Sequence, residues 1–223
     1  MFLLLSVLLS SAQAAPRMER SLGNELSVEV GRITGADDAF ESLNDDYTAF
    51  VTRGVRGAYE LSERVSLMGS LHHGSVGSST YIGATEDWST SDTGGVALYL
   101  TQLAIGPKVH VEPARRLSVY GTLQAEALYG ILKLDSDIDE ADSAVEMRLR
   151  GLAPGGILAG GVELLPFHAG PATLGAHLEL GYAHAARLRF RDPEGVDAED
   201  EGLLVGDLEA RGLHVRFGLG ARF

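Results

Sequence analysis

The feature that most constrains this chain is a two-residue hydrophobic repeat that recurs along its length. In the clearest run, residues 117–132, apolar side chains alternate with small, polar or charged ones. The apolar set of this run is Leu117, Val119, Leu123, Ala125, Ala127, Tyr129 and Ile131. Because successive side chains of a β-strand point to opposite faces of the sheet, this period predicts strands with one apolar and one polar face. The chain is therefore predicted to be an all-β protein.

Eight runs of this kind are spaced along the 223 residues. They cover residues 24–33, 47–61, 65–75, 94–111, 117–132, 146–165, 172–191 and 203–223. The links between them are alternately long and short, and the long ones are 34–46, 76–93, 133–145 and 192–202. This rhythm is typical of a closed antiparallel up-and-down transmembrane barrel, with short periplasmic turns and longer outer loops. We predict a single barrel domain of eight strands, with ten as the alternative.

The first residues predict export from the cytoplasm. Residues 2–9 read FLLLSVLL, which is too short to span a bilayer as a helix, and Ala12 and Ala14 follow as an A-x-A cleavage motif. We therefore predict a signal peptide over residues 1–14 and the barrel domain over residues 15–223. No later stretch has the ~18 consecutive apolar residues of a transmembrane helix, so membrane-spanning segments must be strands.

The two faces of the predicted strands favour lipid outside the barrel and polar groups inside it. One face is almost entirely aliphatic and aromatic, whereas the other carries ionisable side chains of both signs. The predicted interior polar network comprises Lys108, His110, Glu126, Glu163, His177, Glu179, His214 and Arg216. A soluble eight-stranded barrel would instead bury its apolar face. Because eight strands leave an interior that side chains can fill, we expect the network to be paired and no continuous pore to exist.

The last predicted strand carries a pattern that resembles a known signal. Residues 217–223 read FGLGARF, which places Phe217, Leu219, Ala221 and Phe223 on one face. This ending resembles the C-terminal assembly signal of Gram-negative outer-membrane proteins, and the resemblance implies insertion by the β-barrel assembly machinery. Over residues 24–223 the chain also resembles small barrels of the outer-membrane protein A and X type. That resemblance implies a porin-like cell-envelope protein in the outer membrane, monomeric and in contact with lipid and lipopolysaccharide.

Acidic residues concentrate in the long links. The chain has 31 Asp and Glu against 18 Lys and Arg, a net charge of −13, and 19 of the 31 acids lie in these links. This balance argues against nucleic acid, whose phosphates need a basic surface. A solvated rim that resists aggregation is the first interpretation. The alternative is weak capture of Ca²⁺ or Mg²⁺ by the carboxylates, and no other cofactor is predicted.

One acidic segment resembles a calcium-binding loop. Asp135, Asp137 and Asp139 are followed by Glu146 at the twelfth position, which is the spacing of an EF-hand. The sixth position is Glu140, where the family has Gly, and strands rather than helices are predicted on both sides. The segment is therefore an alternative metal site, and no metal site belongs to the main prediction.

A second alternative concerns catalysis. His73 shares the face of the apolar residues of its strand and is followed by Ser75. The pair resembles the His-x-Ser motif of the outer-membrane lipid A deacylases, and the resemblance implies cleavage of an acyl ester with Glu86 or Asp87 orienting the His. The main prediction is a non-enzymatic structural or surface-interaction protein. A membrane esterase and a narrow solute channel are the alternatives.

Overall fold

Eight antiparallel strands form a closed barrel. The computed structural model describes residues 24–34, 49–80, 93–114, 116–137, 145–169, 172–197 and 208–223. The strands are β1 (Glu25–Thr34), β2 (Ala49–Ser62), β3 (Val65–Thr80), β4 (Thr93–Ala114), β5 (Leu117–Asp137), β6 (Val145–Ala169), β7 (Ala172–Ala185) and β8 (Arg211–Arg222). Each strand pairs with the next, and β8 pairs with β1. The predicted all-β up-and-down barrel of eight strands is confirmed. In the described ranges no helix is long and apolar enough to cross a membrane.

The seam between β1 and β8 is a continuous ladder. Its register runs from Glu25 opposite Arg222 to Ile33 opposite His214. Just beyond the Glu25 end of this ladder, the backbones of Asn24 and Phe223 exchange two hydrogen bonds of 2.7 and 2.9 Å. An unpaired backbone group in hydrocarbon costs several kcal/mol, so a sheet can lie in lipid only when it closes in this way.

The two ends of the barrel differ. The lower end holds the short turns between β2 and β3, β4 and β5, and β6 and β7, and the upper end holds the long links. At the upper end the ladders of β3 to β6 continue into residues 76–80 and 133–137, which the sequence analysis placed in links. Outward side chains above the hydrocarbon need not be apolar. These residues therefore pair in the sheet without showing the apolar–polar alternation by which strands are predicted.

The upper ends of β7 and β8 also differ from the prediction. The periodicity predicts a strand as far as residue 191, but β7 ends at Ala185, and β8 begins only at Arg211. The segment after β7 still follows the barrel wall, because isolated bridges join Leu188 to Leu208 and Arg150 to Arg191. Alternation persists through this segment, although its pairing is too irregular to form a strand.

The outside of the barrel between its two ends is apolar. Leu158, midway along β6, is 64% exposed, and its cross-strand neighbours Leu123 and Tyr182 are exposed as well. Monomeric soluble proteins rarely expose a continuous apolar surface of this size. The aromatic residues near the upper end of this surface are Tyr99 and Tyr129, and those near the lower end are Tyr59, Phe167 and Phe223, whereas Tyr182, opposite Leu158, lies nearer the middle. Their positions match the two interfacial girdles of a membrane barrel.

We expect an arginine to be most costly at the middle of this surface. Leu158→Arg should lower the free energy of unfolding by about 2–4 kcal/mol, because it places a charge near the bilayer midplane. The matched variant Val51→Arg, on the same outward face near the upper end, should cost only about 0–1 kcal/mol. Urea titration of the barrel folded in lipid vesicles measures both. Equal costs would contradict the placement in lipid of this apolar outer surface, which we call the belt.

Candidate functional site

The lower half of the barrel interior is occupied by charged side chains gathered around Arg56. This residue lies on β2 opposite Ser27 of β1 and Ser70 of β3. Alternation turns it inward, since its neighbour Val55 faces outward, and its side chain is fully buried. A buried guanidinium is tolerated only when carboxylates and hydrogen-bond acceptors surround it.

Four carboxylates meet the Arg56 guanidinium. Its Nη2 lies 2.7 Å from Oε1 of Glu25, and its Nε lies 3.1 Å from Oε1 of Glu29. Its Nη1 lies 3.5 Å from Oε2 of Glu179, and its Nη2 lies 3.5 Å from Oε1 of Glu163. One cation therefore joins glutamates of β1, β6 and β7 across the lumen.

Lys108 and Tyr120 complete the central layer. Lys108 contacts Glu163 and places its Nζ 2.8 Å from Oε2 of Glu25. The same Nζ lies 4.5 Å from the centroid of the Tyr120 ring, within range of a cation–π interaction. The Tyr120 hydroxyl donates to Oε2 of Glu179 at 3.0 Å. These contacts connect β4 and β5 to the carboxylates that surround Arg56.

Three histidines border this layer. Nε2 of His72 and Nε2 of His177 lie 2.8 and 2.7 Å from the two carboxylate oxygens of Glu29. Nε2 of His214 lies 3.2 Å from Oε1 of Glu179. Both glutamates are thus shared between Arg56 and imidazole groups of other strands.

The network continues towards both ends of the barrel. Upwards, Nη2 of Arg216 donates to Oε1 of Gln102 at 2.7 Å, and Nε2 of Gln102 donates to Oε1 of Glu126 at 2.7 Å. Downwards, Nη2 of Arg222 donates to Oε2 of Glu163 at 2.8 Å. Every strand of the barrel supplies at least one side chain to this interior network.

The structure places all eight interior residues predicted from the sequence inside the barrel. Seven of them take part in the contacts described above, and His110 is buried on β4. The sequence analysis did not single out Arg56, Glu29 or Tyr120, which lie at the centre. Their signal was present, because each has the opposite parity to the apolar residues of its own run.

The upper half of the interior is apolar, whereas the sequence analysis predicted polar groups inside the barrel and did not predict this apolar cluster. The buried cluster consists of Phe50, Leu98, Leu100, Leu128, Leu132, Leu149, Ala153, Ala185, Leu188, Phe190, Leu208 and Ala210. Leu188 and Phe190 come from the segment after β7 and pack against Gly130. A Cβ on Gly130 would lie 2.6 Å from the Leu188 side chain and 3.1 Å from the Phe190 ring, so a larger residue there would require the Leu188 side chain to shift. The sheet above the belt therefore encloses a core like that of a soluble β-protein.

The acidic segment that resembles a calcium loop begins and ends in a β-ladder. Asp135 and Asp137 lie on β5, and Glu146 lies on β6 directly opposite Asp135. Asp139 lies outside the described residues. Within the ranges given above, no group of three or more His, Asp or Glu side chains could hold a metal ion.

His73 and Ser75 lie on the outward face near the upper end of β3, where both are exposed. Nδ1 of His73 is 3.1 Å from Oγ1 of Thr101, and its ring stacks on Tyr99 with centroids 6.4 Å apart. Glu86 lies outside the described residues, as does the signal peptide predicted at 1–14. Among described side chains, the contact of this imidazole is therefore a hydroxyl and not the carboxylate of a triad.

The residues of the terminal pattern face away from the interior. Phe217, Leu219 and Phe223 are exposed, and Ala221 is half-buried on the same face. A closed ladder, an apolar outer belt and a paired polar interior together meet the demands of a bilayer. The chain is a small eight-stranded β-barrel of the membrane-spanning kind.

Among known proteins, similarity to the chain is found in solved structures of low sequence identity. No family model and no curated protein matches the chain. Among solved structures it is similar to Ail, the attachment invasion locus protein of Yersinia pestis, in complex with the heparin analogue sucrose octasulfate. The identity is 14% and the TM-score 0.45, over 90% of this chain and 99% of that one. For CarO2 of Acinetobacter baumannii the identity is 10% and the TM-score 0.44, over 92% of this chain and 100% of that one. At such identities the likeness concerns the fold.

Removing the central cation of the interior network should destabilise the barrel. Arg56→Met leaves four carboxylates, three of them buried, without their shared partner and should lower the free energy of unfolding by about 3–5 kcal/mol. The control Arg64→Met, at the exposed turn between β2 and β3, should leave it unchanged. Urea titration followed by the heat-dependent gel mobility of the folded barrel measures both. An Arg56→Met barrel as stable as wild type would refute the structural role of the network.

Proposed function

We propose that this outer-membrane barrel is a non-conducting, non-enzymatic scaffold that presents acidic segments at the cell surface. The observation that carries the proposal is the interior, which is filled by two layers of different chemistry. The lower layer is the ionic network around Arg56, and the upper layer is the apolar cluster that contains Leu188 and Phe190. A solute on the axis would have to displace both.

The two layers resist ions for different reasons. In the lower layer the charges of both signs are already paired, so a passing ion would have to compete with partners at 2.7–3.5 Å. In the upper layer an ion would lose its hydration shell, and the leucine side chains offer no polar group to replace it. Because the layers lie in series, conduction would require both to open at the same time.

The upper end offers what such a scaffold could present. The long links and their carboxylates leave the barrel there, and the first described part of one link follows β7. In it, Oδ1 of Asp192 accepts hydrogen bonds from the backbone N–H groups of Glu194 and Val196, at 2.9 and 2.7 Å. Nε of Arg191 donates to Oδ1 of Asp197 at 2.7 Å. This turn keeps its own shape while exposing charge to solvent.

The lower end and the belt carry surfaces suited to the other proposed partners, which are the assembly machinery and lipid. The outward row formed by Phe217 and Leu219 of β8 and by Phe223 just after it is suited to recognition by the β-barrel assembly machinery. The belt is suited to the acyl chains of outer-membrane lipid. The scaffold is proposed to act as a monomer, because its own seam already satisfies the strand edges.

We expect the purified full chain to show no steady single-channel current in planar lipid bilayers. Arg56→Ala should also remain closed, because the apolar layer persists above the altered one. The recordings should be made on protein whose folding has been verified by heat-dependent gel mobility. Steady, reproducible current steps from the wild-type barrel would overturn the proposal in favour of a solute channel.

Surface presentation can be tested with a cationic probe. Intact cells that produce the barrel should bind more fluorescent polylysine than cells without it, because the acidic links attract cations, and added salt should abolish the difference. E199Q/D200N/E201Q, in the link after β7, should reduce this binding. Glu63→Gln, in a lower turn, should not. Equal binding to cells with and without the barrel would refute surface presentation.

A further inference from the structure

The belt does not have the same height on all sides of the barrel. On β6 its outward side chains are uncharged from Leu164, near the lower end, to Leu152, which is 69% exposed. On β2 they are uncharged only from Leu61, also near the lower end, to Val55, and the next outward residue is Arg53, which is exposed. The apolar surface is therefore shorter on β2 than on β6.

The rise of the strands shows how large this difference is. Twelve residues separate Leu164 from Leu152, whereas six separate Leu61 from Val55. At about 3.3 Å per residue and a strand tilt of about 45°, these stretches rise by about 28 Å and about 14 Å. The apolar band of outer-membrane barrels is about 25 Å tall. The belt therefore spans such a band on β6 but falls well short of it on β2.

The strands on either side of β2 shorten the belt in the same way. Going up from the lower end, the first ionisable outward residue is Arg32 on β1 and His73 on β3. Arg53 lies directly opposite His73, and Arg32 is its diagonal neighbour, because Arg32 lies opposite Val51. All three are exposed, and we call Arg32, Arg53 and His73 the polar row.

The opposite side of the barrel remains apolar at this height. In a closed sheet of eight strands, β5 and β6 lie across the axis from β1 and β2. On β5 the outward side chains are uncharged from Leu117 to Ile131, which is a longer run than that on β6. The belt is thus tall along β5 and β6 and short along β1 to β3.

Extension of the side chains alone does not bring the whole polar row out of hydrocarbon. Arg32 and Arg53 have long side chains, whose charged ends can reach towards the surface of a bilayer. The imidazole of His73 is much shorter, and its Nδ1 lies 3.1 Å from Oγ1 of Thr101, directly across the β3–β4 ladder. This ring reaches a polar environment when the surface of the bilayer itself lies at the height of the row.

We propose that the barrel thins the upper leaflet of the bilayer along β1 to β3 and leaves it at full thickness along β5 and β6. A hydrophobic surface that is shorter than the hydrocarbon layer is accommodated by local thinning at modest cost, whereas a surface of matching height needs no adjustment. The short side of the belt thus fits lipid whose acyl chains are short or disordered. The proposal rests on insertion of the barrel in a membrane, and it is independent of whether the interior conducts and of what the acidic links bind.

The test measures the depth of two outward positions at equal height. Val51 on the short side lies ten residues above Leu61, and Ala127 on the tall side lies ten residues above Leu117. The chain contains no cysteine, so V51C and A127C can each carry a single nitroxide label in the full chain. In vesicles of dioleoylphosphatidylcholine, the collision rates of each label with oxygen and with a water-soluble nickel chelate give its depth. We expect V51C to favour the nickel chelate and A127C to favour oxygen. Equal depths would show a bilayer of uniform thickness and would overturn the proposal.

Replacing the arginines tests whether the polar row sets the thickness. R32L/R53L extends the apolar surface and should move the V51C label into hydrocarbon, so that its ratio of oxygen to nickel collisions rises. The control R64L/R116L, at the exposed lower turns, should leave this ratio unchanged. Heat-dependent gel mobility verifies the folding of each variant. A V51C label that keeps its depth in folded R32L/R53L would contradict the proposal.

Two further labels separate thinning from the other ways of accommodating a short belt. L61C and L164C, near the lower end, should lie at similar depths, because thinning of the upper leaflet leaves the lower edge level. A clear difference between them would show that the barrel tilts instead. Shielding of V51C from both oxygen and nickel would show that a second copy of the chain covers the short side. Either result would overturn the proposal.

Discussion

The closure of the backbone ladder is the constraint on which the rest of this structure depends. Hydrocarbon offers no hydrogen-bond partner to a peptide group. The ladder between β1 and β8 must therefore be complete for the barrel to be stable in lipid, whatever its side chains contribute to that stability. Once the sheet is closed, its outer face must be apolar and its inner face must fill the lumen. Both the exposed leucines and the buried ions follow from this one requirement.

The sequence predicted the architecture because the demand of the bilayer is periodic. Alternation at Leu117 to Ile131 or Leu213 to Phe223 is needed at every step through lipid, and it is therefore visible without a structure. Periodicity predicts which face of the sheet a residue occupies but not which residues it contacts. Arg56 contacts Glu179, 123 residues later, and that meeting depends on the register of all intervening strands. For this reason the members of the interior network were predictable, whereas its centre was not.

The upper part of the barrel is where prediction from periodicity failed, and the failure has a physical cause. Above the belt the sheet has left hydrocarbon, so arginines can face outward, as at Arg150, and leucines can face inward, as at Leu132 and Leu149. Above the belt, charged side chains thus lie on the outer face of the wall and apolar side chains on its inner face, the reverse of the arrangement in the belt. A rule that holds for lipid-embedded strands therefore cannot describe this region.

The distribution of the interior network over all eight strands bears on the order of events during biogenesis. The first hairpin can already join Arg56 to Glu25 and Glu29, but its remaining carboxylate partners belong to β6 and β7. A half-finished sheet released sideways into the bilayer would carry unmatched ions into acyl chains. The polypeptide must therefore gather its late strands in a wet or protein-lined compartment, and enter the membrane only as a nearly finished cylinder.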